Sequence, residues 1–224
     1  MRTIIRLSAA LLAVLALPGL AQAQEGRLFK NAWFWGVKGG SFVFNSPNWE
    51  NGFAPVVGAE WLITRSRAGL YVSGQQILNW DGPGGSSIPD PFAASGVKQL
   101  YVSDIRSFTI GVLAFPKVIG GTIRPYGGLG FAFLNAFSTG PVLDGTESNA
   151  EIEYLNQYID EGKYFNSLVL IAGVQIQYRR FSVFGQGTML PQQVGSTWFY
   201  NTNHNYLLET GIRWNMGSSI DRPF

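Results

Sequence analysis

The feature that most limits the fold is an alternation of polarity with a period of two, recurring in segments separated by turn-forming residues. That period belongs to a β-strand with two unlike faces. In the last such segment Leu208, Thr210, Ile212, Trp214 and Met216 share one face, and Glu209, Gly211, Arg213 and Asn215 share the other. In an earlier one Leu170, Ala172, Val174, Ile176 and Tyr178 oppose Ile171, Gly173, Gln175 and Gln177. Near the start, Trp33, Trp35 and Val37 oppose Phe34, Gly36, Lys38 and Gly40, and Val57, Ala59, Trp61 and Ile63 oppose Gly58, Glu60 and Thr64. Leu70 and Val72 oppose Ser73 and Gln75, with Tyr71 falling on the polar side.

About eight segments of this kind are expected, over 31–44, 54–64, 68–78, 99–114, 122–136, 167–178, 181–190 and 204–216. Their links alternate in length. Those at 45–53, 79–98, 137–166 and 191–203 are long and rich in Gly, Pro, Asn and Ser, whereas those near Ser66, after Phe115 and at Arg179 are short. One face of the segments is bulky and apolar; the other carries glycine, amides and isolated charges. A soluble barrel would turn the second face to water and load it with Lys, Asp and Glu. Charged residues are only 13% of the chain, about half the ordinary share. The apolar face is therefore expected to meet lipid and the glycine-rich face to line a lumen. No later segment holds a run of apolar residues long enough for a helical span. A closed barrel is then the remaining way to pair every backbone group inside hydrocarbon. The expected fold class is all-β: a closed up-and-down antiparallel transmembrane β-barrel.

The first residues read as an export signal. Arg2 and Arg6 precede an apolar run from Leu7 to Leu20, and Ala21-Gln22-Ala23 supplies the small-x-small pattern of a cleavage site. The run is shorter than the roughly twenty residues that cross a bilayer as a helix. The expectation is a signal peptide over 1–23 and a barrel domain over 24–224. The chain has no cysteine, which excludes a lipoprotein anchor, disulfides and thiolate metal sites. The net charge of +2 is too small to indicate nucleic acid. Amphipathic rings favour the headgroup level. Trp33, Trp35, Phe115, Tyr126, Tyr178, Phe181 and Trp214 are assigned to the inner rim on that ground. Phe42, Phe44, Tyr101, Tyr164, Phe165, Trp198, Phe199, Tyr200 and Tyr206 are assigned to the outer rim.

Two stretches carry a family resemblance. Arg124-Pro125-Tyr126-Gly127-Gly128-Leu129-Gly130-Phe131 resembles a strand common in small outer-membrane barrels. Thr210-Gly211-Ile212-Arg213-Trp214-Asn215-Met216 resembles the last-strand signal read by the bacterial barrel-assembly machinery, with Gly211, Trp214 and Met216 at its marked positions. That signal commonly ends a chain on an aromatic residue, whereas here 217–222 intervene before Pro223-Phe224. The broad group is the OmpA/OmpX-like and OmpW-like barrels. The resemblance implies a porin-like protein of the Gram-negative cell envelope. It also implies export to the outer membrane, contact with outer-membrane lipid, and handling by periplasmic chaperones and the assembly machinery. A monomer is expected.

Four charges form the most concrete constellation. Lys38, Glu60, Glu209 and Arg213 fall on lumen faces of the first, second and last strands, which become neighbours on closure. Buried charges need partners, so an ion-pair network that plugs the lumen is expected, with a narrow proton or ion path as the rival. His204 is the single histidine. Lipid A deacylases of similar architecture use Ser, His and an acidic residue at the outer rim, but their His-x-Ser-Asn type of motif is absent, and His204 reads as a polar loop-edge residue. The link 137–166 holds Asp144, Glu147, Glu151, Glu153, Asp160 and Glu161, opposed within it by Lys163, and Glu151–Tyr158 could form a short helix. Its spacing is not that of an EF-hand, and no phosphate loop, HExxH or GxSxG is present. No catalytic residue, cofactor or metal is expected. The leading function is a structural or interaction protein acting through long outer loops. The alternatives are an OmpW-like carrier of small hydrophobic solutes, its outer lumen lined by residues such as Phe42, Phe44 and Leu113, and a lipid A-modifying enzyme.

Overall fold

The computed structural model describes residues 29–46, 49–78, 87–191 and 204–218. Residues 1–23, Trp198, Phe199, Tyr200, Pro223 and Phe224 lie outside the described residues, as does the side chain of Phe44.

Eight long strands are present: β1 (Ala32–Ser46), β2 (Trp49–Arg65), β3 (Ala68–Ile77), β5 (Val97–Ala114), β6 (Ile123–Pro141), β7 (Tyr164–Tyr178), β8 (Phe181–Leu190) and β9 (Asn205–Ser218). A short β4 (Ser87–Pro89) and one helix, α1 (Asn149–Gly162), stand in the links. Each long strand pairs antiparallel with its neighbours in the order β3-β2-β1-β9-β8-β7-β6-β5, and β3 pairs with β5. That pairing runs from Ala68↔Ala114 to Ile77↔Ile105 and closes the sheet. The fold is a closed eight-stranded antiparallel up-and-down barrel with no free edge.

The alternation read in the sequence is what makes the strands two-faced. Leu129, Phe131, Val112, Val57 and Leu208 point outward and stay more than half exposed, whereas their neighbours in sequence point inward and are buried. An apolar belt of this extent has to be covered, and lipid covers it in a transmembrane barrel. Two turns at one end are tight. Arg65 pairs with Ala68 across Ser66-Arg67, and Tyr178 with Phe181 across Arg179-Arg180. Ser66 and Arg179 adopt φ of 58° and 54°, the left-handed conformation that such short connections demand.

Two expectations need correction. The link placed at 45–53 is not a long loop: β1 and β2 continue until Ser46 meets Trp49. β1, β2, β5 and β6 hold 15, 17, 18 and 19 residues, well past the roughly 9–11 needed to cross a bilayer, so this hairpin and the outer ends of β5 and β6 project beyond the apolar belt. Second, Phe115, Tyr126, Phe42 and Phe165 are not rim residues facing lipid; all four are buried. In addition, the phase of β5 breaks at a bulge. The register shifts on both sides of Asp104, so Leu100 and Val102 point inward before it, and Ile105, Ser107 and Thr109 after it. A bulge inserts one residue and exchanges the faces that follow. Arg106 consequently lies on the outward face with Phe108, its guanidinium carbon 3.8 Å from the Phe137 ring centre.

The β1–β9 seam depends on glycine. A Cβ at Gly40 would lie 2.0 Å from the Leu208 carbonyl oxygen, whereas one at outward-facing Gly185 would meet nothing within 4 Å. Gly40→Val is expected to force the seam apart at a cost of about 1–3 kcal/mol, as overpacking does. Gly185→Ala should leave stability unchanged. Heat-modifiable mobility on SDS gels reads both, and equal behaviour of the two variants would contradict the seam geometry.

Candidate functional site

The interior is filled in layers. At the tight-turn end an aromatic layer forms as the chain folds inward ahead of β1. The Phe29 ring stands 5.7 Å from Phe34 and 4.8 Å from Phe115, and Phe115 lies 5.5 Å from Tyr126. Thr64 ties the entry down: its hydroxyl accepts from the Ala32 N–H at 3.1 Å and donates to the Phe29 carbonyl. Leu113, expected in the outer half, belongs at this end, because it pairs with Gly69 beside the first tight turn.

The middle layer is polar. Lys38 Nζ and Glu209 Oε1 form an ion pair at 2.8 Å, and Lys38 also donates to Tyr71 Oη at 3.1 Å. Tyr71 in turn donates to Glu60 Oε2 at 3.2 Å. Arg213 Nε donates to Glu60 Oε1, and its Nη1 to Gln175 Oε1 at 2.6 Å. The Arg213 guanidinium also stacks on Phe184, 3.9 Å from the ring centre. Gln186 bridges the halves. Its amide nitrogen donates to Glu209 Oε2 and Tyr71 Oη, each at 3.2 Å, and its carbonyl accepts from Tyr126 at 3.1 Å. Lys38, Glu60, Glu209 and Arg213 are thus brought into one connected cluster, all nearly inaccessible to solvent. Tyr71, Tyr126, Gln175 and Gln186 belong to it as well. The out-of-phase position of Tyr71 in its strand was the available signal for one of them.

Glycines make room for the charges. Gly36 sits level with both Arg213 and Glu60 on the flanking strands. A Cβ there would lie 3.1 Å from Arg213 Cγ and 3.2 Å from Glu60 Cγ. Lys38 is flanked in the same way by Gly58 and Gly211. Charge and glycine alternate as on a checkerboard, and each long side chain reaches across the space its neighbours leave empty.

Above this layer the interior is mainly apolar, with Ser107, Ser167, Thr188 and Asn205 buried among the apolar side chains. Phe42, Ile77, Ile105, Leu134, Val169 and Leu207 are buried, in one continuous cluster with Ile88 of β4 and Leu155 and Ile159 of α1. β4 and α1 form a cap at the outer end. Ser148 caps α1, its hydroxyl accepting from the Glu151 N–H. The helix spans Asn149–Gly162, longer than the expected Glu151–Tyr158. The acids of this link are not opposed by Lys163 alone. Lys98 of β5 binds Asp144 at 3.1 Å and Glu147 as well. The Lys98 contact, with backbone N–H groups of Asp144 and Gly145, holds the Glu147 carboxyl down at about 2. Glu147 therefore remains an ionised tether across the ordinary pH range.

His204 is exposed, next to the start of β9. Glu209, the acid nearest to it in sequence, points into the lumen against Lys38. No group of metal-ligating side chains occurs among the described residues.

Among solved structures the chain is similar to Neisserial surface protein A, with a TM-score of 0.53 and 10% identity over 82% of this chain and 97% of that one. This is the fold of a small outer-membrane β-barrel. Two further barrels align at lower scores. The N-terminal domain of Pseudomonas aeruginosa OprF gives a TM-score of 0.45 at 11% identity over 84% of this chain and 98% of that one. Yersinia pestis Ail gives 0.44 at 9% identity over 83% and 99%. No protein-family model matches the chain, and no curated protein matches it.

Removing one partner of a buried pair leaves an uncompensated charge. Arg213→Met is expected to lower stability by about 3–5 kcal/mol. The double variant E60L/R213M should lose less than the sum of the single losses, because neither charge is left behind. Urea unfolding midpoints in lipid vesicles measure both, and additive losses would contradict the coupling.

Proposed function

We propose that the chain is a non-conducting barrel of the bacterial outer membrane whose contacts with its surroundings are made by the cap at its outer end. The observation that carries this reading is the continuity of side chains along the interior. The aromatic layer around Phe29, the cluster centred on Lys38, Glu60, Glu209 and Arg213, and the apolar layer beneath Ile88 and Leu155 follow one another without an intervening charged, solvent-facing tier. An eight-stranded barrel has an interior only wide enough for side chains to fill it. A pore needs a hydrated path, and the buried ion pairs here occupy the level where one would pass.

The placement in the outer membrane is supported by the fold and by the apolar belt. Trp214 and Met216 project from the outside of β9, both exposed, and Gly211 lies between Lys38 and Phe184 on the flanking strands. These three residues are proposed as the signal by which the assembly machinery accepts the last strand. Outer-membrane lipid is the proposed partner of the belt. The cap presents Phe92, Val142 and Leu143, all exposed, beside the acidic outer surface of α1, and is the proposed contact surface for an extracellular partner.

Planar-bilayer recordings test the central claim. The purified barrel, inserted at neutral pH, is expected to give no stable conductance steps. Lasting, sizeable steps from the wild-type protein would overturn the reading. Steps that appear only after Arg213→Ala would support it, since that change removes the largest side chain at the blocked level.

A further inference from the structure

The two halves of the outer cap meet at a pair of carboxyl groups. Asp90 ends β4 and organises the turn that follows: its N–H donates to the Gly96 carbonyl at 3.0 Å, and its Oδ1 accepts from the Phe92 N–H at 2.9 Å. The residue is fully buried. Its second oxygen, Oδ2, is also buried and receives no N–H or O–H from any described residue. The side chain of Glu151, in the first turn of α1 and buried, is a hydrogen-bonding neighbour of the Asp90 carboxyl. Around this pair, Phe92 packs against Tyr154 with ring centres 6.0 Å apart. The turn and the helix head therefore touch through one aromatic contact and one carboxyl contact.

Two ionised carboxylates cannot face each other in a buried contact without large cost, whereas one proton between them makes a hydrogen bond. We propose that the outer cap is fastened by a proton shared between Asp90 and Glu151, and that loss of this proton releases the β4 turn from the head of α1. The surrounding charges do not supply an alternative fastener. Lys98 of β5 is the facing cation, and it is engaged by Asp144 and Glu147 of the preceding loop. Glu147 is further held by the N–H groups of Asp144 and Gly145, at 2.6 and 2.8 Å. Burial, and then the Asp90 carboxylate, push the Glu151 carboxyl above its usual range, while Lys98 pulls the other way.

The sign follows from that direction. An acid whose pKa is raised in the closed cap favours closure fully at pH below its ordinary value, about 4.3. Closure then weakens as the pH rises from there through the raised value. The Lys98–Glu147 tether behaves oppositely and fails only in strong acid. The cap is thus doubly held in mild acid and singly held at higher pH.

Hydrogen–deuterium exchange on the full barrel in lipid nanodiscs, between pH 4 and 9 and corrected for intrinsic rates, tests this. Wild-type protection over 87–97 and 149–155 is expected to fall as pH rises. The fall should follow one proton with a midpoint above the ordinary carboxylate value. Glu151→Gln replaces the shared proton with an amide N–H and should hold both segments protected at every pH. Asp90→Asn is the reciprocal change and should do the same. Glu147→Gln should leave the midpoint in place. A midpoint at the ordinary carboxylate value, or pH dependence that persists in both amide variants, would overturn the proposal. So would equal loss of protection in β1 and β9, which would mark global loosening.

Discussion

Everything in this molecule depends on the pairing of β3 with β5, the contact that turns a sheet into a cylinder. An open sheet of these strands would present two rows of unpaired amides and carbonyls to hydrocarbon, where each costs several kcal/mol. Closure removes both rows at once. It also fixes the economy of the interior. Once the circumference is set at eight strands, inward side chains have to share a narrow cylinder, and the glycine-rich face follows from that limit.

The ion pairs inside are better understood as instruments of register than of stability. Taking charges out of water is costly, and a buried pair often contributes little net stabilisation compared with an apolar filling. What the pairs contribute is discrimination. Slipping β9 by one residue would turn Glu209 and Arg213 outward and bring Leu208, Ile212 and Trp214 into the lumen. An arginine facing the bilayer midplane costs roughly 2–4 kcal/mol. Gly36, Gly58 and Gly211 reinforce the same register sterically, since each is adjacent to a long charged side chain on the next strand.

Much of the architecture was legible because period and composition are local properties. Leu208 to Met216 declare their faces without help from any other strand, and β8 begins and ends where its sequence suggests. The candidate site was legible in its charges, because Lys38, Glu60, Glu209 and Arg213 interrupt otherwise neutral patterns. It was not legible in its connectors. Gln186 and Tyr126 look unremarkable within their own strands, and their roles appear only when β6, β8 and β9 curve around a common centre. The bulge at Asp104 was hidden for a related reason: a register shift is defined against a neighbour, here β6, and not along one chain segment. The Lys98 tether joins residues 46 and 49 positions apart, so the partner of Asp144 and Glu147 could not be read within the outer link itself.

The seam between β1 and β9 has a kinetic consequence. Ala32 pairs with Ser218 and Val43 with Tyr206, so the first strand waits for the last. Contacts this distant along the chain bear the full entropy of loop closure before any return. The cylinder therefore cannot be completed as the polypeptide emerges. It can be sealed only after every strand is present, and until then β1 and β8 are each left with a bare edge. A nascent chain of this kind carries its own aggregation hazard, built in by the same geometry that leaves the finished barrel without any edge at all.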